Sequence, residues 1–269
     1  MDQRVLITGA AGKVGRMVRA RTTVRPLRLL DMVPPEPAGP GEDVETITAS
    51  VTDAGAMNAA CRDVSAVVHL GGISDEAEWE TVLDVNVHGT RTVLEAARRA
   101  GVPRVVLASS NHAVGFATRD EGDPLPADVS PRPDTYYGFS KVAVEALGRL
   151  YHDRFGMDVI CLRIGTMSEC PTAPRALATW LSPGDGTRLV EACLSAPSPG
   201  FRIVWGVSRN TRRWWSLAEG RRLGYEPRDD AEEFASDVLA GGQRVDPAAP
   251  VHFRVGGPFC DTPLGAERA

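Results

Sequence analysis

The chain reads as an α/β protein built on a doubly wound parallel sheet, with a small C-terminal region capping the substrate side. Three observations predict this. Short β-branched or leucine-rich runs alternate with helically periodic stretches through the first 164 of the 269 residues. Such alternation calls for parallel strands joined by right-handed crossovers, with helices on both faces. A glycine-rich turn, Gly9, Gly12 and Gly15, follows directly on the first strand run. Finally, 43% hydrophobic and 24% charged residues match an ordinary packed domain rather than a disordered, collagen-like or coiled-coil chain.

In chain order, the strand runs are 4–8, 27–31, 44–48, 66–70, 104–108 and 158–164. Between the second and third, residues 32–43 are rich in proline and glycine and read as a surface loop. Residues 83–100 carry Val87, Thr90, Val93, Leu94 and Ala97 at helical spacing and stop at Gly101-Val-Pro103. Residues 111–135 form a loop longer than a compact domain usually keeps without a purpose. A second long helix is predicted over 136–155, closed by Gly156. After Ile164 the pattern weakens: 171–183 is loop-rich, 187–196 reads as a helix, 201–205 as a strand and 231–239 as a helix. The expected division is a core over 1–164 and a small substrate-binding region over 165–269, whose further strand and helices return to the core.

A formal net charge of −5 argues against a broad basic surface that neutralises nucleic-acid phosphates. The five cysteines, Cys61, Cys161, Cys170, Cys193 and Cys260, are scattered with no Cys-x-x-Cys pair, so buried reduced thiols are expected and a metal site is not. Met1 runs almost directly into the first strand without a signal-peptide pattern, and no apolar run reaches the roughly 18 residues of a membrane span. A cytoplasmic protein acting on a small molecule is expected, with no membrane or nucleic-acid partner; a homo-oligomer stays open.

The segment Gly9-Ala-Ala11-Gly12-Lys13-Val14-Gly15 places its glycines between a strand and a helix, where the backbone can approach a pyrophosphate and free amides attract it. An ordinary strand-to-helix turn would use the same residues. Asp31 ends the second strand, where an acid hydrogen-bonds both adenosine ribose hydroxyls and repels a 2′-phosphate. That favours NAD over NADP, with Arg25 and Arg28 nearby as opposing charges. Leu70-Gly71-Gly72 after the fourth strand suits the cofactor's other side, or a simple turn. Together these define a dinucleotide-binding, Rossmann-like core.

Tyr137 and Lys141 stack on one helix face at four-residue spacing. An adjacent ammonium would stabilise the tyrosine phenolate and bring its pKa toward the working range, as acid-base chemistry requires. An amphipathic helix start gives the same spacing. Ser109-Ser110-Asn111-His112 ends the fifth strand at the carboxyl edge, where ligands bind in such sheets. A serine there could hold a substrate oxygen beside Tyr137 or merely cap the strand.

With these motifs in place, the chain resembles the extended short-chain dehydrogenase/reductase family of NAD-dependent epimerases and dehydratases. The likeness rests on Thr8-Gly9-Ala-Ala-Gly12-Lys-Val-Gly15, Asn86, Ser110 and Tyr137-x-x-x-Lys141. It is similar most closely to bacterial uronate dehydrogenases, through His69-Leu-Gly-Gly-Ile-Ser74, Ala108-Ser-Ser-Asn-His112, Arg163-Ile-Gly165, Thr179-Trp-Leu181, Val204-Trp-Gly206 and Trp214-Trp215. The resemblance implies NAD-dependent oxidation of a hexuronic acid at C1 to an aldarolactone. Ser110, Tyr137 and Lys141 would be catalytic. Ser50, Val51, Asn86 and Ile164 would join the cofactor set, Ser50 standing where the family often has an adenine-contacting acid. Ser74, Asn111, His112, Thr166 and Arg175 would hold the sugar acid, the arginine by clamping its carboxylate. Nucleotide-sugar epimerisation or dehydration and non-catalytic dinucleotide sensing are the rival readings.

Overall fold

Seven parallel strands form one sheet in a computed structural model that describes residues 4–119, 124–240 and 249–266. The first half runs β1 (Arg4–Thr8), α1 (Lys13–Arg19), β2 (Leu27–Asp31), β3 (Val44–Thr48), α2 (Ala54–Ala60), β4 (Val64–His69), α3 (Trp79–Val82), a π-helical turn over Leu83–His88, and α4 (Gly89–Arg99). Next come β5 (Arg104–Ser110), a 3-10 turn over Asn111–Val114, α5 (Tyr136–Phe155), β6 (Asp158–Ile164), β7 (Thr166–Met167), α6 (Ala176–Thr179) and β8 (Trp180–Leu181). The last part holds α7 (Pro183–Ser195), β9 (Phe201–Gly206), α8 (Ala218–Arg222), α9 (Ala235–Ala240) and α10 (Pro250–Phe253).

The strand order is β3-β2-β1-β4-β5-β6-β9. Winding reverses between β1 and β4, and the crevice beyond their carboxyl ends is where this topology binds ligands. Strand periodicity sorts the core into two layers. Val5, Ile7, Val68, Val106, Ile160 and Leu162 face α1 and α7, while Leu6, Val67, Val105, Leu107, Val159 and Cys161 face α2, α4 and α5. Strand β9 extends this sheet at the free edge of β6.

Two predicted helices begin elsewhere, and a third differs in its first turn. The helix expected over 83–100 starts at Trp79 and passes through the π turn, which carries the buried Asn86. The one expected over 187–196 starts at Pro183, because the Ser182 hydroxyl accepts the Asp185 amide and proline fits the first turn. The stretch expected over 231–239 is a 3-10 turn, Ala231–Phe234, leading into α9. By contrast, α5 spans the predicted 136–155 and is closed by Gly156 at φ 69°. The thiols of Cys61, Cys161 and Cys193 are buried, whereas Cys170 is exposed and Cys260 half-buried, so the expectation of buried thiols fails at these two. Among the described residues, no helix is long and apolar enough to cross a membrane.

Candidate active site

Two adjoining cavities occupy the crevice. The first, of about 570 Å³, is lined by Gly9, Ala11, Gly12, Arg16, Asp31, Met32, Val33, Ala49, Val51, Leu70, Gly71, Gly72, Ile73 and Val85. The second, of about 250 Å³, shares Leu70, Gly72 and Ile73 and adds Lys13, Val14, Ser74, the 108–112 strand end, Tyr137, Lys141, Ile164, Gly165 and Met167. They form one cleft, long at the glycine turn and narrow at the tyrosine.

Sequence accounts for the cleft's floor. Gly9 takes φ 70°, and a Cβ there would come within 2.5 Å of the Gly71 amide, so only glycine lets the β1 and β4 turns touch. Asp31 accepts the Ala11 amide at 2.9 Å on one oxygen and the Val33 amide at 3.2 Å on the other. Each oxygen keeps a lone pair for a ribose hydroxyl. Arg28 points to the carbonyls of Ala60 and Arg62, and Arg25 to those of Thr22 and Val24, so neither meets this cavity. The glycine turn, the acid and the cleft fit a dinucleotide.

A polar bridge fixes the β4 end. Thr90 donates its hydroxyl proton to the Asn86 carbonyl at 2.6 Å, so it can only accept from His69 Nε2, 3.0 Å away. His69 Nδ1 therefore accepts from the Thr8 hydroxyl at 2.7 Å, and Thr8 accepts the Gly71 amide. Burial pushes the His69 pKa down to about 3, with the Lys141 charge adding to the effect. Asn86 completes the bridge by holding both backbone groups of Ile73 and donating to Ser140.

At the narrow end, Thr135 caps α5 by accepting the Gly138 amide at 2.9 Å, which sets Tyr137 and Lys141 one turn apart facing β5. Lys141 Nζ donates to the Ala108 carbonyl at 2.9 Å and stands 5.5 Å from the Tyr137 ring centre. Burial pushes the Tyr137 phenol up to about 12; a hydrogen bond from Ser110 opposes it, and Asp134 and Asp75 add to it. Burial likewise pulls Lys141 down to about 8, against the raising influence of Glu145. The expected lowering of the tyrosine pKa is thus corrected for the protein alone: desolvation outweighs the Ser110 hydrogen bond, and the neighbouring Lys141 amine donates to a backbone carbonyl. Beneath this corner, Glu145 pairs with Arg163 through two 2.8 Å contacts and accepts Ser109 at 2.6 Å, all buried.

Most predicted site residues therefore converge: Gly9, Ala11, Gly12, Asp31, Val51 and Leu70 to Gly72 at one end, Lys13, Val14, Ser74, Ser110, Asn111, His112, Tyr137, Lys141 and Ile164 at the other. Five lie off the cavity walls. Gly15 packs inside the turn against Ala10, and Asn86 lies behind Ile73. Ser50 turns to Thr52 at 2.8 Å, and Thr166 to Thr179 at 3.2 Å. Arg175 is spent on the carbonyls of Val251, Arg254 and Val255, and burial lowers its pKa to about 10. The sequence reading missed Arg16, which lines the first cavity, and three residues around the second. Glu76 accepts the amides of Tyr136, Tyr137 and Gly265, tying the C-terminal segment to the start of α5. Asp134 and Phe259 hold His112. Only Asp134-Thr135, a capping pair ahead of a helix, left a readable signal.

A dinucleotide crevice that opens onto a buried Ser-Tyr-Lys corner defines an NAD-dependent dehydrogenase. The chain belongs to the NAD dependent epimerase/dehydratase family, whose model matches residues 5–168. It is 40% identical to the uronate dehydrogenase of Pseudomonas putida over 264 residues, 95% of this chain and 97% of that protein. It is 42% identical to the uronate dehydrogenase of Agrobacterium fabrum, with 97% and 98% covered. The crystal structure of a mutant Agrobacterium tumefaciens uronate dehydrogenase complexed with NAD matches with a TM-score of 0.90 at 40% identity, covering 97% of this chain and 98% of that one.

Proposed function

We propose that this chain oxidises a hexuronic acid, glucuronate or galacturonate, at C1 and releases the aldarolactone. The observation that carries the reading is the 250 Å³ cavity in which Ser74, Ser110, Asn111, His112, Tyr137 and Lys141 meet. These polar side chains face one small cavity at the inner end of the cleft, where a sugar's hydroxyls would meet several donors and acceptors at once. The similarity to uronate dehydrogenases over nearly the whole chain supports the substrate class.

Gly9, Gly12, Ala11 and Asp31 hold the adenosine and pyrophosphate half of NAD, and Val14, Gly72 and Ile164 the other half. When bound, NAD supplies the hydride acceptor and the positive charge of an oxidised nicotinamide. Tyr137, as the phenolate that a neighbouring positive charge would stabilise against the burial raising its pKa in the protein alone, takes the proton from the anomeric hydroxyl as the C1 hydrogen leaves with its electron pair for the hydride acceptor, so the C1–O bond becomes the lactone carbonyl. Ser110 hydrogen-bonds that oxygen, and Lys141 keeps a donor beside the tyrosine. Ser74, Asn111 and His112 orient the ring, so positioning supplies much of the acceleration. Thr166 and Arg175 take part in holding the sugar acid only by leaving Thr179 and the C-terminal carbonyls, an exchange that a carboxylate's charge favours for the arginine.

Replacing Tyr137 by Phe tests the assignment. With NAD binding and melting temperature intact, kcat for uronate should fall by about 10²- to 10⁴-fold, the worth of a positioned base. Near-normal turnover would remove Tyr137 from that role.

A further inference from the structure

We infer that Asp134 is a positioning residue for His112, fixing the imidazole in its Nδ1-protonated tautomer so that Nε2 accepts a hydroxyl of the sugar acid. The inference rests on the uronate reading above, in which the sugar faces this wall. His112 Nδ1 lies 2.7 Å from Asp134 Oδ2. A carboxylate at that oxygen only accepts, so a hydrogen sits on Nδ1, and in the neutral ring Nε2 then carries the lone pair. Phe259 fixes the plane of the ring, with centroids 3.9 Å apart at 30°, and the Tyr137 ring lies 5.7 Å away. The His112 amide donates to the Ser110 hydroxyl at 3.2 Å, which ties the same residue to the reacting corner. Since His112 lines the cavity and Nδ1 is taken, Nε2 is the side-chain atom left to meet substrate. The anomeric proton goes to Tyr137, so Nε2 serves another hydroxyl of the ring.

The surroundings of Asp134 are built for a carboxylate at this one place. Its side chain is 0% exposed, and its second oxygen accepts the Thr135 hydroxyl at 3.0 Å. Glycines from three separate segments close around it. A Cβ at Gly138 would stand 2.8 Å from Oδ1, and one at Gly115 or Gly256 would overlap Oδ2 outright. Gly256 belongs to the C-terminal segment that also delivers Phe259, so one segment both closes the carboxylate's cradle and stacks on the histidine. A residue needed only to cap α5 would not require this cradle, because Thr135 performs that capping.

Two measurements test the inference. Long-range nitrogen-proton NMR of the labelled full chain reads the tautomer directly, with His112 assigned by its disappearance in His112→Gln. A ring protonated on Nδ1 alone supports the inference; one protonated on Nε2, on both nitrogens, or averaging freely between the two, overturns it. In the second, Asp134→Asn should lower kcat/KM for uronate by about 10- to 100-fold, the scale seen when a histidine loses its orienting carboxylate. NAD affinity should stay within about twofold, since no cofactor residue moves. Adding Asp134→Asn to His112→Gln should then cost nothing further. An equal loss with and without His112 would make Asp134 merely structural and refute the inference. If the variant does not fold, the wild-type tautomer decides. A wild type that makes no NADH from any uronate defeats the substrate reading, while the tautomer still judges the role of Asp134.

Discussion

Mild acid should loosen the protein through His69, and the size of the effect follows from the bridge beneath the crevice. His69 has a folded pKa of about 3 against an ordinary 6.5, because it is buried. Between those values the unfolded chain binds a proton that the folded one refuses, so stability rises with pH across this window and is lost as pH falls from about 6.5 toward 3. Taking about 1.4 kcal/mol per pH unit, the step from pH 7 to pH 4.5 removes roughly 2 to 3 kcal/mol. Urea unfolding at the two pH values measures it, and His69→Gln isolates it. The variant gives up the Thr8 hydrogen bond, about 1 kcal/mol at neutral pH, but has nothing to titrate. Its stability should therefore fall by roughly 2 to 3 kcal/mol less than wild type over the same interval. Parallel losses in both proteins would refute His69 as the source.

Two further outcomes follow from the site. Asp31→Ala removes the acceptor of the Ala11 and Val33 amides and the group proposed for the ribose, so the NAD dissociation constant should rise about 10- to 100-fold and the preference over NADP should narrow, as titration calorimetry with both cofactors would register. Glu145→Gln leaves the Arg163 guanidinium buried without its counter-charge and should cost about 3 kcal/mol in urea unfolding; a loss under about 1 kcal/mol would place the pair with ordinary surface bridges.

What the sequence disclosed was set by local pattern. The strands of the first 164 residues and α5 were legible because apolar periodicity and a closing glycine act within a few neighbouring residues. The start of α7 was misplaced because the loop-rich stretch was read through Pro183, although Ser182 ahead of a first-turn proline was a capping signal. The π turn hides in the same way, since its extra residue leaves helical spacing almost unaltered. Site residues borne on the β1, β4 and β5 ends emerged because this topology gathers strand ends. Arg175 could not be placed from sequence: its carbonyl partners lie 76 to 80 positions away. Phe259 and Gly256 reach His112 and Asp134 only through the folded C-terminal segment. The tyrosine pKa escaped for a related reason, because desolvation is a property of the closed corner rather than of a four-residue spacing.

The central claim, uronate oxidation at the Tyr137 corner, is tested most directly by following NADH absorbance with the purified protein and NAD. Glucuronate and galacturonate stand against neutral aldoses, hydroxysteroids and a UDP-sugar. The account predicts stoichiometric NADH and lactone from at least one uronate and a far slower response from the rest. No NADH from any uronate, or isomerisation of the UDP-sugar without net reduction, would contradict it.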